Sequence, residues 1–423
     1  MAHVRTAEIL AVGTELLTPH RIDTNSLYLT EQLNGLGIDV RSKTVVGDDP
    51  ADLVDRLRQS IARADLVITT GGLGPTSDDL TREAAAEALG LALVEDPALV
   101  EAVRGRFERR GLRMPETNRR QAAVPTGARV LPNPNGTAPG LWLITGERHV
   151  ILLPGPPREM RVIFEDAVRP GLAARTSGRR VWRRVLKIAG RPESHVEEIA
   201  QPIYSALTTG ETPIETTILA SPGIVELHLS ARGEDAEAIH TALDRGVQAL
   251  AEALGPAVFS VNGQSLESVV GRMIAAQGWR LGVAESCTGG LLGGRVTDVA
   301  GSSAWFTGGI LAYEDRIKVE ALGVPAELIA THGAVSEPVG RAMAEGVRAR
   351  LGVDVGVGIT GVAGPGGGTP DKPVGTVVIA VATPTRSLVR TWRFIGDRPM
   401  VRTQAVIAAL DQVRHALAAS EPA

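Results

Sequence analysis

Residues 65–74 read Asp-Leu-Val-Ile-Thr-Thr-Gly-Gly-Leu-Gly, a short apolar run that opens into a glycine turn. An apolar run without polar alternation is typical of a strand buried on both faces, as in a parallel sheet covered by helices. A helix is predicted after the turn, over 79–89, from the spacing of its apolar residues. This strand–turn–helix unit predicts an α/β fold for the start of the chain.

The same alternation continues on both sides of that unit. Helices are predicted over 25–34 and 54–64, and strands over 8–12, 141–145 and 150–153, the last two as an antiparallel hairpin around Gly146. Residues 1–170 are therefore predicted to form one domain with a mostly parallel sheet covered on both faces.

Two further domains are predicted downstream. A small α+β module over 175–258 has a strand opened by the basic cluster 179–184, a helix over 193–207, a strand over 224–230 and a helix over 235–254. A second α/β domain over 262–423 has helices at 266–277, 289–299, 317–322, 338–351 and 399–419 and strands at 280–284, 309–313, 353–360 and 375–383. The predicted fold class is thus α/β with three domains.

The length and composition of the chain exclude several classes of protein and of binding site. A chain of 423 residues is too long for one ordinary domain, and its net charge of −4 gives no reason to expect a nucleic-acid partner. The single cysteine, Cys287, excludes an intramolecular disulfide and a cysteine-based zinc site. No apolar run approaches the roughly 18 residues of a membrane span, and no secretory leader precedes the apolar stretch 7–12. We therefore expect a cytoplasmic protein that does not enter a membrane.

The segment 284–290 contains candidate nucleophiles. It reads Ala-Glu-Ser-Cys-Thr-Gly-Gly and lies between a predicted strand and a predicted helix. Ser286 lies where free backbone N–H groups at a helix N-terminus can stabilise an oxyanion, so it is a candidate nucleophile. Two alternatives stay open. Ser286 can simply cap the helix, and Cys287 can compete as nucleophile or pack in the core.

A serine nucleophile needs a base. Of the 44 basic residues only four are lysine, and only a lysine, unlike an arginine, can lose its proton in a protein. Lys318 is the preferred base and Tyr313 a candidate proton relay, although Tyr313 can also be half-buried packing. His332 is expected to be a loop residue.

A flexible glycine loop, 358–368, follows a predicted strand and can bring its backbone close to a ligand. It is not a nucleoside-triphosphate loop, because no Lys-Ser or Lys-Thr pair follows it. Arg398 precedes the last helix, where its guanidinium can meet a phosphate or a carboxylate.

The glycine turn after 65–70 is a second candidate site. Its spacing excludes a dinucleotide-binding fingerprint, but such a strand-to-helix turn suits phosphate. Asp78 and Asp79 either cap the following helix or act with Glu15, Asp23 and Glu159 as oxygen ligands of a divalent metal beside a diphosphate.

Segments 13–17, 23–25, 71–81, 135–140 and 154–160 together resemble the molybdopterin-binding-like domain of the CinA (competence/damage-inducible protein A) family. Segments 284–290, 301–306, 332–338, 361–364, 372–376 and 396–398, with Tyr313 and Lys318, resemble its C-terminal amidase domain. The resemblance covers essentially the whole chain, and the middle module corresponds to the KH-like insert of the family.

The resemblance implies a bifunctional hydrolase of pyridine-nucleotide salvage. The C-terminal domain would deamidate nicotinamide mononucleotide without a cofactor, with Ser286, Lys318 and Tyr313 as catalytic residues. Its implied substrate-binding residues are Thr288, Gly289, Thr360, Gly361, Gly364 and Arg398.

The N-terminal domain would cleave ADP-ribose to AMP and ribose 5-phosphate with a divalent metal cation. Its implied substrate-binding residues are Asn25, Gly72, Gly74, Thr76, Gly136 and Thr137, and its implied metal ligands are Glu15, Asp23, Asp78, Asp79 and Glu159.

The sequence departs from the family pattern at 18–21 and at 314–317, and the second departure makes the neighbourhood of Lys318 more charged. A homodimer is expected. The competing hypothesis is a protein without catalysis that binds a molybdopterin-like ligand or acts as an adaptor in competence or DNA repair.

Overall fold

A computed structural model describes residues 3–176, 178 and 180–418. The chain forms two compact mixed α/β units, one up to residue 182 together with 232–236, and the other from 183–231 and from 237 onward. Residue 179 of the predicted basic cluster and residue 419 of the last predicted helix lie outside the described residues. None of the described helices combines the length and the apolar character that crossing a bilayer requires.

The first unit is built on one large sheet. The strands of that sheet are β1 (Thr6–Val12), β2 (Asp39–Val46), β3 (Leu66–Thr70), β6 (Arg129–Leu131), β7 (Gly140–Thr145) and β8 (Arg148–Leu153). Strands β4 (Leu93–Glu95) and β5 (Ala123–Pro125) pair with each other in a separate two-stranded sheet. The helices of the unit are α1 (Asn25–Gly35), α2 (Pro50–Arg63), α3 (Thr81–Leu89), α4 (Pro97–Glu108), α5 (Pro157–Ile163) and α6 (Arg169–Ala173). The large sheet has the order β2-β1-β3-β8-β7-β6, in which β2, β1, β3 and β8 are parallel. The mostly parallel sheet and the β7–β8 hairpin are confirmed.

Two further sheets follow along the chain. The first contains β9 (Arg180–Ala189), β10 (Ile214–Ser221), β11 (Ile224–Gly233) and β12 (Val258–Ser260), in the order β10-β11-β9-β12, with α7 (Glu193–Leu207) and α8 (Ala236–Leu254). The second contains β13 (Leu281–Glu285), β14 (Phe306–Leu311), β15 (Val355–Gly361), β16 (Thr376–Ala382) and β17 (Ser387–Arg393), in the order β14-β13-β15-β16-β17. Its helices are α9 (Leu266–Ala276), α10 (Leu291–Thr297), α11 (Asp315–Leu322), α12 (Ala326–His332), α13 (Glu337–Leu351) and α14 (Arg398–Ala418).

Eleven of the described elements were absent from the sequence prediction, namely β2, β4, β5, β6, β10, β12, β17, α4, α5, α6 and α12. His332 ends α12, so its expected place in a loop was wrong. Strand β17 contains two arginines, Arg390 and Arg393, and it pairs with β16 over its whole length. Within the strand, the Arg390 guanidinium lies 4.1 Å from the centre of the Trp392 ring.

Local chemistry explains where several helices begin. The carboxylate of Asp49 accepts hydrogen bonds from two N–H groups in the first turn of α2, and Asp96 does the same for α4. Each of these helices has proline in its first turn, where a missing N–H costs nothing. Ser265 caps α9 in the same way.

A buried histidine makes the stability of the first unit depend on pH. The Trp142 indole N–H donates to His149 Nδ1 at 3.1 Å. Burial lowers the pKa of His149 from its ordinary 6.5, nearby Arg175 lowers it further, and Asp65 opposes the shift. The unfolded chain therefore takes up the proton first, so the free energy of unfolding is at its full value above pH 6.5 and falls as the pH drops below it.

We expect the Tm of the wild-type protein to fall more steeply between about pH 7 and pH 5 than the Tm of His149→Gln, which has no titrating group at this position. Differential scanning fluorimetry of both proteins measures the two slopes. Parallel curves would contradict the prediction.

Candidate functional site

The carboxyl ends of three parallel strands meet at one edge of the C-terminal sheet. Strand β13 lies between β14 and β15 and runs parallel to both. The Ser286 N–H donates to the carbonyl of Ile359 at 3.0 Å, and the Ala312 N–H donates to the carbonyl of Glu285 at 2.8 Å. Ser286 is thereby placed beside the segments that carry Tyr313 and Thr360, which are far away in sequence.

The Ser286 side chain is not used for structure. It is 8% exposed, and its hydroxyl makes no hydrogen bond to any of the described residues. Helix α10 begins at Leu291. Its N-cap residue is Gly290, so no N-cap side chain accepts a hydrogen bond from the first N–H groups of the helix. The alternative that Ser286 caps this helix was therefore wrong.

The carboxylate of Glu285 takes that structural role instead. It is 1% exposed and accepts hydrogen bonds from the N–H groups of Gly290 at 3.1 Å, Leu292 at 3.1 Å and Gly293 at 2.8 Å. These are the N–H groups that a helix N-terminus would offer to an oxyanion. The expected oxyanion site at the start of α10 is thus occupied by the protein itself.

Cys287 is a poor competitor for Ser286. Burial, with a smaller contribution from the nearby Glu285 carboxylate, raises the pKa of its thiol to about 12, against the opposing charges of Arg398 and Arg402. The thiolate is the nucleophilic form of cysteine. At neutral pH this side chain is a buried thiol, so the structure favours its packing role.

Lys318 is buried at the start of the helix that follows Tyr313. Its side chain is 2% exposed, and Nζ donates to the carbonyl of Tyr313 at 3.2 Å and to Asp315 Oδ1 at 3.0 Å. Asp315 belongs to the segment that departs from the family pattern. The charged substitution is therefore in direct contact with the candidate base.

Tyr313 and Arg398 form the exposed side of this edge. The Tyr313 side chain is 61% exposed, so its expected alternative as half-buried packing was wrong. Its hydroxyl accepts a hydrogen bond from the Arg398 guanidinium at 3.1 Å, and the same guanidinium donates to the carbonyl of Gly364 at 2.8 Å. Arg398 thus connects the candidate proton relay with the glycine loop.

The other residues of this domain that were predicted to bind the substrate differ in how exposed they are. Thr288 is fully buried, and the hydroxyl of buried Thr360 donates to the carbonyl of Ala334 at 2.9 Å. Gly289 is exposed. We therefore expect a ligand to meet main-chain atoms of Gly289 and not Thr288.

A cavity of about 670 Å³ lies in the first unit, where residues following β1, β3 and β8 converge. It is lined by most of the predicted N-terminal site residues, namely Glu15, Asp23, Asn25, Gly72, Gly74, Asp78, Asp79, Thr137 and Glu159. Thr76 and Gly136 support it from outside: the Thr76 N–H donates to Asp79 Oδ2 at 2.9 Å, and the Gly136 N–H donates to Asn133 Oδ1 at 2.9 Å.

Two glycines leave space for carboxylates of this cavity. A Cβ atom at Gly74 would lie 2.3 Å from Asp79 Oδ2, and one at Gly136 would lie 1.9 Å from Glu159 Oε2. Both distances are far below contact distance. Gly74 and Gly136 are therefore needed for the placement of acidic side chains.

The acidic side chains line one cavity but are held apart. Asp23 accepts a hydrogen bond from the Ser26 N–H at 3.0 Å, and Glu159 accepts one from the Asn133 amide at 2.6 Å. No three acidic, cysteine or histidine side chains in the described part of the chain lie close enough together to hold a metal ion. Helix α3 begins at Thr81 after the uncapped Leu80, so the capping alternative for Asp78 and Asp79 was wrong.

Comparison with known proteins gives the family. Three family models match consecutive parts of the chain: "Probable molybdopterin binding domain" over 8–174, "Damage-inducible protein CinA KH domain" over 183–260 and "CinA C-terminal domain" over 263–417. A CinA-like protein from Koribacter versatilis is 46% identical over 97% of this chain and 99% of its own length. The chain belongs to the CinA family.

Further proteins similar to this chain also carry CinA or competence damage-inducible names. A CinA-like protein from Solibacter usitatus is 44% identical over 96% of this chain and 97% of its own length. The crystal structure of the competence damage-inducible protein A from Klebsiella pneumoniae is 36% identical and covers 37% of this chain and 97% of that chain, with a TM-score of 0.36. The resemblance and the three-domain α/β fold class of the CinA family are confirmed, and none of these names states an enzymatic activity.

Two arginines that support the sites in this CinA chain were not singled out from the sequence. Arg82 is 1% exposed beneath the glycine turn and donates to the carbonyls of Leu73 at 2.6 Å and Gly74 at 3.0 Å. Arg402 donates to the carbonyl of Thr288 at 2.6 Å from one turn beyond Arg398. Arg402 acts on a loop that is distant in sequence, and Arg82 acts on the turn just before its own helix, but no local pattern marks either arginine.

Proposed function

We propose that the C-terminal domain deamidates nicotinamide mononucleotide to nicotinate mononucleotide and ammonia. The observation that carries this proposal is the buried, unpartnered Ser286 hydroxyl at a strand end, next to the segment of Tyr313 and Lys318. A nucleophile and a base at the carboxyl edge of one sheet suit acyl transfer from an amide.

In the proposed reaction, Ser286 Oγ attacks the carboxamide carbon while Lys318 Nζ in its neutral form takes the hydroxyl proton, directly or through Tyr313. The tetrahedral intermediate collapses, the C–N bond breaks, and the leaving nitrogen takes up that proton and departs as ammonia. A water molecule, deprotonated by the same base, then cleaves the ester and releases the carboxylate product and free Ser286. Arg398, Gly289 and the 361–364 loop bind the nucleotide.

Lys318 must change partners during this cycle. Its Nζ donates to Asp315 and to the Tyr313 carbonyl, and among the described residues it makes no hydrogen bond to Ser286. Catalytic hydrogen bonds are often formed only once substrate is bound. We therefore propose that the substrate completes the contact between Lys318 and Ser286.

The deciding experiment is incubation of the purified protein with nicotinamide mononucleotide, with ammonia and nicotinate mononucleotide measured together. Equal amounts of both products, formed without added metal, are expected. If neither forms, the proposal fails and a binding role without catalysis is favoured.

For the N-terminal domain we propose hydrolysis of ADP-ribose to AMP and ribose 5-phosphate with a divalent cation. Of the described residues that line its cavity, six are acidic and Arg21 is the one basic residue. A diphosphate in such a cavity would be repelled unless cations offset the negative charge. The lining charge supports a cation-dependent activity on an anionic substrate.

The same residues suit a hard cation with oxygen ligands. Because the carboxylates are not assembled into a three-ligand cluster, the cation would take further ligands from substrate phosphates and water, as Mg²⁺ commonly does. Glu15, Asp23, Asp78, Asp79 and Glu159 are the proposed protein ligands. When bound, the cation would neutralise charge on the diphosphate.

Gly136→Ala tests this site with little effect on folding. The new Cβ must displace the Glu159 carboxylate, which is the mobile end of a side chain, so we expect a loss of at least about tenfold in cation-dependent ADP-ribose hydrolysis with a Tm near that of wild type. AMP formation is measured with Mg²⁺ and with EDTA. Gly35→Ala is the matched control, because a Cβ there meets nothing within 4 Å. Equal activity in both variants would contradict the role of Glu159.

A further inference from the structure

The turn after Ser286 leaves two N–H groups without an acceptor. The Gly289 N–H donates to the carbonyl of Ser286 at 3.1 Å, and the Leu291 N–H donates to that of Thr288 at 3.3 Å. The Glu285 carboxylate takes the next N–H groups of the turn and of α10. Within the described residues, the N–H groups of Cys287 and Thr288 donate to no acceptor. They directly follow the candidate nucleophile.

Thr288 is fully buried, whereas Cys287 is 6% exposed. We infer that the main-chain N–H group of Cys287 is the oxyanion donor of the C-terminal site, and that Glu285 is the positioning residue that fixes the turn. This inference rests on the proposed role of Ser286 as nucleophile. The N–H of the residue after a nucleophilic serine is a recurrent oxyanion donor in strand–turn–helix sites.

Glu285 fixes the turn from inside the protein. One carboxylate oxygen binds Gly290 and Leu292, and the other binds Gly293, so both ends of the carboxylate are held by the backbone. Gly289 and Gly290 have φ angles of +58° and +90°, the left-handed region in which the chain reverses. Arg402 holds the carbonyl of Thr288 on the other side. These contacts keep the helix N–H groups away from the substrate and fix the conformation of 286–288.

The proposed chemistry predicts which kinetic constant changes when the oxyanion hole is disturbed. When Ser286 Oγ bonds to the carboxamide carbon, the C=O electron pair moves onto oxygen, and the Cys287 N–H group stabilises that charge. Hydrogen bonds that strengthen only in the transition state raise kcat more than they lower KM. Loss of a single oxyanion donor commonly lowers kcat by about 10²- to 10³-fold.

Glu285→Gln is the variant to test, because glutamine keeps the shape of the side chain but replaces one carboxylate oxygen with an NH₂ group. At least one of the three N–H donors then loses its acceptor. We expect kcat for ammonia release to fall about 10²-fold with KM within about twofold of wild type. Glu267→Gln is the matched control: Glu267 is also buried, and it pairs with Arg295 of α10 at 2.6 Å without touching the turn. It is expected to lower Tm and leave kcat unchanged.

A thioamide substrate separates positioning from general loss of structure. Sulfur accepts hydrogen bonds weakly, so the ratio of rates for the carboxamide and the thiocarboxamide nucleotide reports the oxyanion contacts. A structural defect lowers both rates and leaves the ratio unchanged. We expect Glu285→Gln to lower the ratio at least tenfold and Glu267→Gln to leave it unchanged.

Labelling of Ser286 by a fluorophosphonate, followed by mass spectrometry, makes the test independent of the natural substrate. The probe's phosphoryl oxygen uses the same Cys287 N–H group, so Glu285→Gln is expected to slow labelling at least tenfold. Slowed labelling without ammonia release by the wild type would support the oxyanion hole and overturn the proposed substrate. Unchanged labelling and an unchanged thioamide ratio in Glu285→Gln would overturn the inference alone. A Ser286 that is neither labelled nor needed for turnover would overturn both.

Discussion

Replacement of Ser286 by alanine is expected to abolish ammonia release from nicotinamide mononucleotide, with a loss of at least about 10³-fold in kcat. The hydroxyl contributes no hydrogen bond to the fold, so the Tm of Ser286→Ala is expected to stay close to that of wild type. Ammonia is measured with a coupled dehydrogenase assay, and the circular dichroism spectrum verifies folding.

Cys287→Ala is the matched control for this experiment. It removes the neighbouring side chain, whose buried thiol has a pKa of about 12 and is not a nucleophile at neutral pH. We expect this variant to keep most of the activity and to lose some stability, because a buried side chain is shortened. Full activity in Ser286→Ala, or its loss in Cys287→Ala alone, would assign the chemistry to a different residue.

Lys318→Arg tests the base within the same assay. Arginine keeps the positive charge but does not lose its proton in a protein, so the variant can pair with Asp315 and cannot accept the serine proton. We expect loss of turnover comparable with that of Ser286→Ala. Ammonia release at the wild-type rate would exclude Lys318 as the base.

Replacement of Arg82 by methionine is expected to cause the largest loss of stability in the first unit. Methionine fills much of the same volume but leaves the buried carbonyls of Leu73 and Gly74 without their charged donor. Hydrogen bonds from charged groups contribute about 1.5–3 kcal/mol each, so a destabilisation of about 3 kcal/mol is expected. For a unit of this size that corresponds to roughly 6–12 °C in Tm.

The same variant is expected to lose ADP-ribose hydrolysis, because the glycine turn that lines the cavity is no longer held. Arg58→Met is the control: Arg58 is exposed and pairs with Glu87 at 3.6 Å on the surface. Exposed ion pairs contribute up to about 1 kcal/mol, so a small change in Tm and full activity are expected. Equal losses of Tm in the two variants would show that Arg82 has no special role.

The sequence was informative where the relevant pattern is local. The apolar run 66–70, the glycine turn and the helical spacing after it predict β3 and α3 without any other part of the chain. The residues 284–290 likewise predict that a strand ends in a turn and that Ser286 lies in that turn. The edge strand β17 was missed because its arginines hide the strand pattern, and its pairing with β16 compensates for them.

Local residue chemistry therefore determined part of the strands and helices of this CinA protein and its glycine turns, and identified Ser286 as a residue outside the regular elements. Only the tertiary structure decided what surrounds them. Glu285 takes the helix N–H groups away from the expected oxyanion site, Arg402 holds a loop distant in sequence, and Arg82 holds the glycine turn before its own helix. Hydrogen bonds to backbone carbonyls and N–H groups depend on folded geometry and not on the identity of the residue that carries them. For that reason no sequence pattern specifies them, whereas hydrophobic periodicity is specified by the side chains themselves.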